Sequence, residues 1–569
     1  MYLQAQNYLG NLFKHLNDTS ISFYVLYYDD YTSRMLNIFT IKQLREFNIV
    51  DIKHINQLDR SDSIIDLTAI FYISHSNSNT FITHLNDFCK SVLFIHYTLT
   101  NSESFADQLS RSSTDNITLL YDTYTHYIVF DLYGMSCPPL KQNTMQLLNN
   151  QLLMDKQLLT SSIQSISSFY MTMGVIPLIY TIDNPNCQYI ASECHDLFVQ
   201  WNQEYAHLKS NKSTNFYDKF ELYSGYGGQR PILLILNRSQ DILSFLMHSW
   251  SYNVLVHDLL KLNQNQILLQ QSLPTATAIP ATVDIDPLDQ IWQQHSSNPF
   301  PVVAEEIDKQ LQQYKVKAQE MMAFAGVSNI NDVQLDQMSN TAHIKTILTQ
   351  LPELTQQKHI LDNHMHVATG LLNKMQTIQL DKVFEYEETI VKLTISDIVS
   401  LMDKQDIRLI DRVRIALLWY LMKKTNYEDI KKCLEKVNCG VGCLDYLQTS
   451  EQHVKQQTPT VQSDLLGKFG SLGNKLSENL NTAGFNSIIN SVKNLMPFDT
   501  TSGIVKITEQ VINSLQGGSL PENLIELDPL HQDNQVPFGG YVFPTGVPQV
   551  FVIHLGLCLC CWGWKYIGI

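Results

Sequence analysis

Hydrophobic positions follow two rhythms along this chain. In the first 240 residues, short unbroken apolar runs alternate with amphipathic stretches. Phe23 to Tyr28 (FYVLYY), Ala69 to Ile73 (AIFYI), Val175 to Tyr180 and Ile232 to Leu236 (ILLIL) have strand length. Runs without polar interruption suit strands buried on both faces, as in a parallel sheet. Between them Ile41 to Phe47, Thr80 to Cys89, Asn143 to Met173 and Tyr189 to His207 read as helices. The alternation predicts two small parallel α/β domains, over residues 1–136 and 137–240. From residue 241 to 515 the period becomes helical, interrupted by a Gln/Pro/Thr/Ala-rich loop at Gln264 to Thr282. Past Asn513, Gly517, Gly518, Pro521, Pro529 and Pro537 break the chain, and Val550 to Ile553 is again strand-like.

Two stripes inside the helical region have mechanical meaning. Ile347, Leu351, Leu354, Lys358, Leu361, Met365, Ala368, Leu372 and Met375 alternate steps of four and three, the coiled-coil period. The stripe either packs inside the protein's own helical domain or offers part of a seam to another chain's heptads. Pro352 lies within it, so a helix either starts at Leu351-Pro352 or bends there. The second stripe runs from Leu465 to Met496 and carries Phe469, Leu472, Leu476, Phe485 and Ile488 opposite glycines and small polar residues. A sparse polar face of that kind suits a helix lying in lipid-packing defects, or a helix covering a groove.

Composition narrows the class. The 569 residues include 44% hydrophobic and 17% charged residues, which makes a folded chain with several cores. A formal net charge of -16 argues against a nucleic-acid partner, whose binders carry a basic footprint. No charged segment followed by an apolar one opens the chain, so no signal peptide is expected. Ten cysteines without regular spacing read as reduced cytosolic thiols.

No enzyme site emerges. Phosphate-binding, GxSxG, HExxH and dinucleotide motifs are missing from the sequence. His364 and His366 stand two apart, which points them to different sides of a helix, and His359 does not complete a metal site. Cys433, Cys439 and Cys443 lack zinc-ribbon spacing. No cofactor, metal or catalytic residue is assigned.

The stretch from Arg230 to Leu260 joins the two rhythms. A strand, Ile232 to Leu236, leads through Asn237, Arg238, Ser239 and Asp241 to apolar positions at Leu246, Trp250, Val254 and His257, which predict a long helix from Leu243 onward. The words RPxLxxLxR and HxWxYxxLVHDLL, carried by Arg230, Arg238, Asp241, Trp250, His257 and Asp258 among others, resemble the central signature of the SM (Sec-one/Munc-eighteen) family of SNARE regulators. Asn237 and the pair Ser244-Phe245 depart from it. The words Asn298 to Glu305, Leu351 to Leu354 and Phe384 to Glu388 resemble its ER–Golgi branch.

The resemblance implies a three-domain arch, two parallel-sheet α/β domains and a large inserted helical domain, with residues 516–569 returning to the second sheet. It implies a SNARE-binding hairpin at about 299–380, using Pro352, Leu354, Lys358, Leu361 and Met365, with the proline as hinge. It implies a mobile loop at about 456–500, tied to autoinhibition and membrane contact. A pocket for the N-terminal peptide of a syntaxin would use Phe105, Ala106, Ile117 and Leu120, the last two on a helix preceding Asp122. Core packing is an equal reading of those four.

The implied partners are a Golgi-type syntaxin (a Qa-SNARE), other ER–Golgi SNAREs, tethering factors and a membrane surface touched transiently, with a monomer in the cytoplasm at ER and Golgi membranes. An endosomal or vacuolar member of the family is the alternative, and a peripheral α/β enzyme the outside one. The last residues, Val550 to Ile569, read as a truncated or frame-shifted end, as a buried strand with an extension, or as a tail anchor.

Overall fold

The computed structural model describes residues 1–16, 23–57, 68–74, 91–96, 117–131, 134–137, 156–210, 231–237, 246–263, 265–270, 280–325, 341–423, 427–445, 447–448, 524–530 and 550–555. They fall into two compact units, one built from Met1–Arg238 and Ile504–Leu557, the other from Ser239–Gly503 and Cys558–Ile569.

The first unit opens with α1 (Tyr2–Leu16), β1 (Tyr24–Tyr28), α2 (Thr32–Leu36), α3 (Ile41–Glu46) and β2 (Ile49–His54). The strands β3 (Thr68–Ser74), β4 (Ser91–His96) and β5 (Ile117–Asp122) follow. They form a parallel sheet in the order β2-β1-β3-β4-β5. Tyr24, Leu26, Tyr27 and the run Ala69 to Ile73 are buried, as unbroken apolar strands require, and Tyr27 stacks on Phe71 at 5.1 Å. A capping box between Thr40 and Gln43 starts α3, and Phe13, Phe39 and Phe47 pack together at 5.7–5.9 Å. A short antiparallel pair, β6 (Ile128–Asp131) and β7 (Gly134–Ser136), ends this part.

A second sheet is assembled from distant segments. The helix α4 (Lys156–Met173) leads through Gly174, at φ 66°, to β8 (Leu178–Ile182); α5 (Pro185–Ser210) then leads to β9 (Ile232–Asn237). Positions 143–155 of the helix predicted over Asn143 to Met173 lie outside the described residues, and the strand sits two to three residues later than the apolar run suggested. β12 (Leu524–Leu527) pairs antiparallel with β8, and β13 (Val550–Leu555) pairs parallel with β9, giving the order β12-β8-β9-β13. Tyr180 Oη donates to Glu526 at 3.2 Å across the first of these joins.

The second unit is mainly helical: α6 (Tyr252–Leu260), α7 (Gln290–His295), α8 (Phe300–Ala325), α9 (Thr341–Thr377), α10 (Leu380–Thr389), α11 (Ile395–Asp403), α12 (Leu409–Lys423) and α13 (Tyr427–Lys436). The stretch predicted as a Gln-rich loop instead holds an antiparallel pair, β10 (Gln266–Gln270) and β11 (Pro280–Asp284). Ile267 and Val283 are buried in it, while Leu268 is exposed, the alternation of a half-covered ribbon.

Candidate functional site

The predicted long helix from Leu243 does not form. After Leu246 the chain leaves helical geometry through Met247 to Trp250, and α6 starts only at Tyr252, behind an extended Ser251. The break is imposed from outside. Arg414 donates from Nε to the Leu246 carbonyl at 2.9 Å and from Nη2 to the Met247 carbonyl at 3.2 Å. The His248 backbone N–H donates to Glu387 at 3.1 Å, and its Nδ1 lies 2.6 Å from Glu387 Oε1. These bonds satisfy backbone groups that a continuous helix would have paired internally.

The result is a buried charged network that the sequence reading missed. His248 Nε2 faces Asp411 Oδ1 at 3.3 Å and Arg414 Nη1 at 2.8 Å, and Arg408 grips Asp411 with two bonds of 2.6 and 3.0 Å. Two carboxylates thus meet two guanidinium groups around one imidazole. Burial works against a charge on His248, as does Arg414, but Glu387 and Asp411 outweigh both and raise its pKa. Burial likewise opposes the Asp411 charge, yet His248 and Arg408 hold that carboxyl below the usual range. A signal was present: Asp411 and Arg414, three apart, interrupt the otherwise apolar core of α12.

Trp250 lies flat on Phe384, with ring centroids 3.8 Å apart and planes 14° from parallel. His257 and Asp258 lie on α6, partly exposed. Arg230, Arg238 and Asp241 fall outside the described residues.

A second polar brace holds α6, α7 and α9 together. Tyr252 Oη and His364 Nδ1 are 2.9 Å apart, and His364 Nε2 lies 3.1 Å from Asp289, which also caps α7 by accepting from the Trp292 N–H at 2.7 Å. His364 is therefore a core histidine with two partners. Tyr252 also stacks on Phe300 at 6.0 Å, fixing where α8 begins.

That start launches the hairpin of α8 and α9. Phe300, Val303, Ala304 and Ile307 are buried at its base. Farther out, burial narrows to Ala318 and Met321 with Leu311 and Tyr314 half-buried, a single stripe suited to one partner helix, and Val316 is 54% exposed. The partner, α9, has 37 residues and is roughly 55 Å long at 1.5 Å per residue. Gly370 lets the β10–β11 ribbon approach it; a Cβ there would meet Leu269 Cδ2 at 2.8 Å.

The helix runs through Pro352 instead of starting there. The proline cannot donate to the Leu348 carbonyl, and Thr355 Oγ1 bonds back to the Leu351 carbonyl at 2.8 Å; both features favour bending. Of the five hairpin residues assigned to binding, Pro352 and Lys358 are exposed and Met365 is half-buried. Leu354 and Leu361 are buried, at 5% and 1% exposure, within the protein's own core. In this conformation both face inward, away from the exposed side of the helix.

In the first unit, Ile117 and Leu120 lie on strand β5 and not on a helix, because the segment pairs in parallel with β4. A register shift puts them opposite Ser91 and Leu93, two residues apart on the neighbouring strand. Phe105 and Ala106 fall outside the described residues, as do Phe469, Leu472, Leu476, Phe485 and Ile488 of the second stripe.

The strand order reverses between β1 and β3, where doubly wound sheets bind ligands beyond the strand ends. Here the chain fills that crevice itself. Thr32 Oγ1 donates to the Tyr72 carbonyl at 2.7 Å, Tyr72 Oη meets Thr125 Oγ1 at 2.8 Å, and Tyr31 Oη donates to the Thr125 carbonyl at 2.9 Å.

A model of the Sec1 family matches residues 24–550 of the chain. Over 536 residues it is 26% identical to Protein sly1 of Schizosaccharomyces pombe, covering 89% of this chain and 81% of that protein. The crystal structure of Sly1p in complex with an N-terminal peptide of Sed5p has a similar fold, with TM-score 0.68 at 20% identity over 93% of this chain and 86% of that one. The SM protein Vps45 in complex with the Qa SNARE Tlg2 (1-310) gives TM-score 0.66 at 14% identity, over 93% and 88%.

Proposed function

The chain belongs to the Sec1 family, and we propose that it is a non-enzymatic, SNARE-binding regulator of vesicle docking and fusion in ER-to-Golgi and intra-Golgi transport. It binds a Golgi-type syntaxin and templates assembly of that syntaxin with its partner SNAREs. The observation that carries this reading is the near full-length likeness to the sly1 proteins, one of which is solved with an N-terminal peptide of Sed5p bound. In this reading the syntaxin peptide docks beside β5, at Phe105, Ala106, Ile117 and Leu120. SNARE helices meet the exposed side of α9 around Pro352, Lys358 and Met365.

Residues 456–500 contact the membrane surface, and the protein works peripherally on ER, Golgi and vesicle membranes. Among the described residues no helix is long and apolar enough to cross a membrane. The domains follow the same reading: a syntaxin-binding α/β domain at 1–136, and a second at 137–240 completed by 516–569. The helical domain between them spans 241–515.

Pull-down of a panel of syntaxins by the full chain tests the proposal. Selective capture of the Golgi-type member supports it. Capture of endosomal syntaxins alone assigns the chain to the alternative branch, and capture of none overturns the reading.

A further inference from the structure

Two thiols converge on one oxygen in the turn that follows α13. Cys439 Sγ lies 3.7 Å from the Gly440 carbonyl oxygen and Cys443 Sγ lies 3.6 Å from the same atom. Both thiols therefore share one acceptor in the turn. The turn is built to bring them together: Asn438 sits at φ 54°, and the Cys439 N–H reaches back to the Leu434 carbonyl at 2.9 Å. The Tyr427 hydroxyl donates to Asp445 across the same turn. Gly440 has open space where a side chain would stand, Cys443 is half-buried and Cys439 is 5% exposed, and Gly440 and Gly442 give the backbone freedom to close. The syntaxin and SNARE sites proposed above do not include these residues.

We infer that Cys439 and Cys443 form a peroxide-sensitive dithiol that closes reversibly to an intramolecular disulfide and pins the turn after α13. The neighbouring Cys443 thiol lowers the Cys439 pKa, while that of Cys443 is raised. Cys439 is therefore the attacking sulfur and Cys443 the resolving one. The Cys439 thiolate attacks one oxygen of hydrogen peroxide and the O–O bond breaks. Cys439 becomes a sulfenic acid and the departing hydroxide takes a proton to become water. Cys443 sulfur then attacks Cys439 Sγ, the S–O bond breaks, and the hydroxyl leaves with the Cys443 proton as a second water. Two thiols are oxidised, one peroxide is reduced, and an S–S bond of about 2.05 Å forms.

The test exposes the full-length protein to graded hydrogen peroxide, followed by alkylation and peptide mapping. Trypsin releases residues 437–455, in which Cys439 and Cys443 are the two cysteines. The expected product is this peptide two hydrogens lighter and unalkylated, restored by dithiothreitol. The nearby Cys433, whose thiol burial pushes up, should oxidise at least about tenfold more slowly. Cys443→Ser should instead accumulate a dimedone-reactive sulfenic acid at Cys439. Oxidation of Cys439 no faster than Cys433, or a wild-type peptide that stays fully alkylated at peroxide levels that modify other thiols, overturns the inference.

Discussion

His248 and Glu387, 139 residues apart in the chain, meet at 2.6 Å in the buried interior of the helical unit. This contact, with Arg414 on the other side of the imidazole, sets where α6 begins and therefore where Trp250 lies against Phe384.

Glu387→Ala should destabilise the chain by about 3–5 kcal/mol, since removing one partner leaves buried charges unpaired. Urea unfolding followed by tryptophan fluorescence measures it. A loss below about 1 kcal/mol would mean that the network contributes little.

Stability should fall as pH rises through neutrality. The raised pKa of His248 means that its contribution is complete below the ordinary histidine value of 6.5 and is lost as pH climbs through the folded value. Glu388 acts in the same direction: burial, then repulsion from Glu385 and Glu387, push its carboxyl up to about 7, so folding takes up a proton there between 4.5 and 7. Asp411 has the opposite sign, its stabilisation being complete above 3.8 and lost as pH falls through its lowered value. Unfolding midpoints from pH 5 to 8 should decline toward pH 8 in the wild type and decline less in Glu388→Gln. An identical slope in the two proteins contradicts the assignment for Glu388.

Pro352→Ala should restore the hydrogen bond to the Leu348 carbonyl and remove a cost of up to about 3 kcal/mol from α9. The helix already passes through this position, so the change stiffens an existing helix and does not create one. Affinity for SNARE helices and fusion rate should both increase; if neither moves, the hinge role is wrong.

The strands were legible wherever burial on both faces left an unbroken apolar run, as at Ile232 to Leu236. The interruption of the helix at Met247 to Trp250 was not legible, because Leu246, Trp250, Val254 and His257 keep helical spacing. The residues that break it, Glu387 and Arg414, come from far along the chain. The heptad seam of α9 was legible as a stripe, but its period cannot say whether the covering surface is the protein's own. Leu354 and Leu361 turn inward, Lys358 outward. Ile117 to Asp122 was placed on a helix by the family resemblance, whereas its Ile, Thr and Tyr favour a strand and β4 offers it a parallel edge.

Leu120→Asp should weaken binding of a Golgi-type syntaxin N-terminal peptide by at least about tenfold, the cost of a charge in an apolar contact. Fluorescence anisotropy reads the affinity, and circular dichroism checks that the fold survives. Undiminished binding in a folded variant places the pocket elsewhere.

The most direct measurement is a calorimetric titration of the full chain with the cytosolic part of a Golgi-type syntaxin, with and without its N-terminal peptide. The account predicts saturable one-to-one binding that weakens when the peptide is removed. No binding to the intact syntaxin, in a chain shown to be folded, would contradict it.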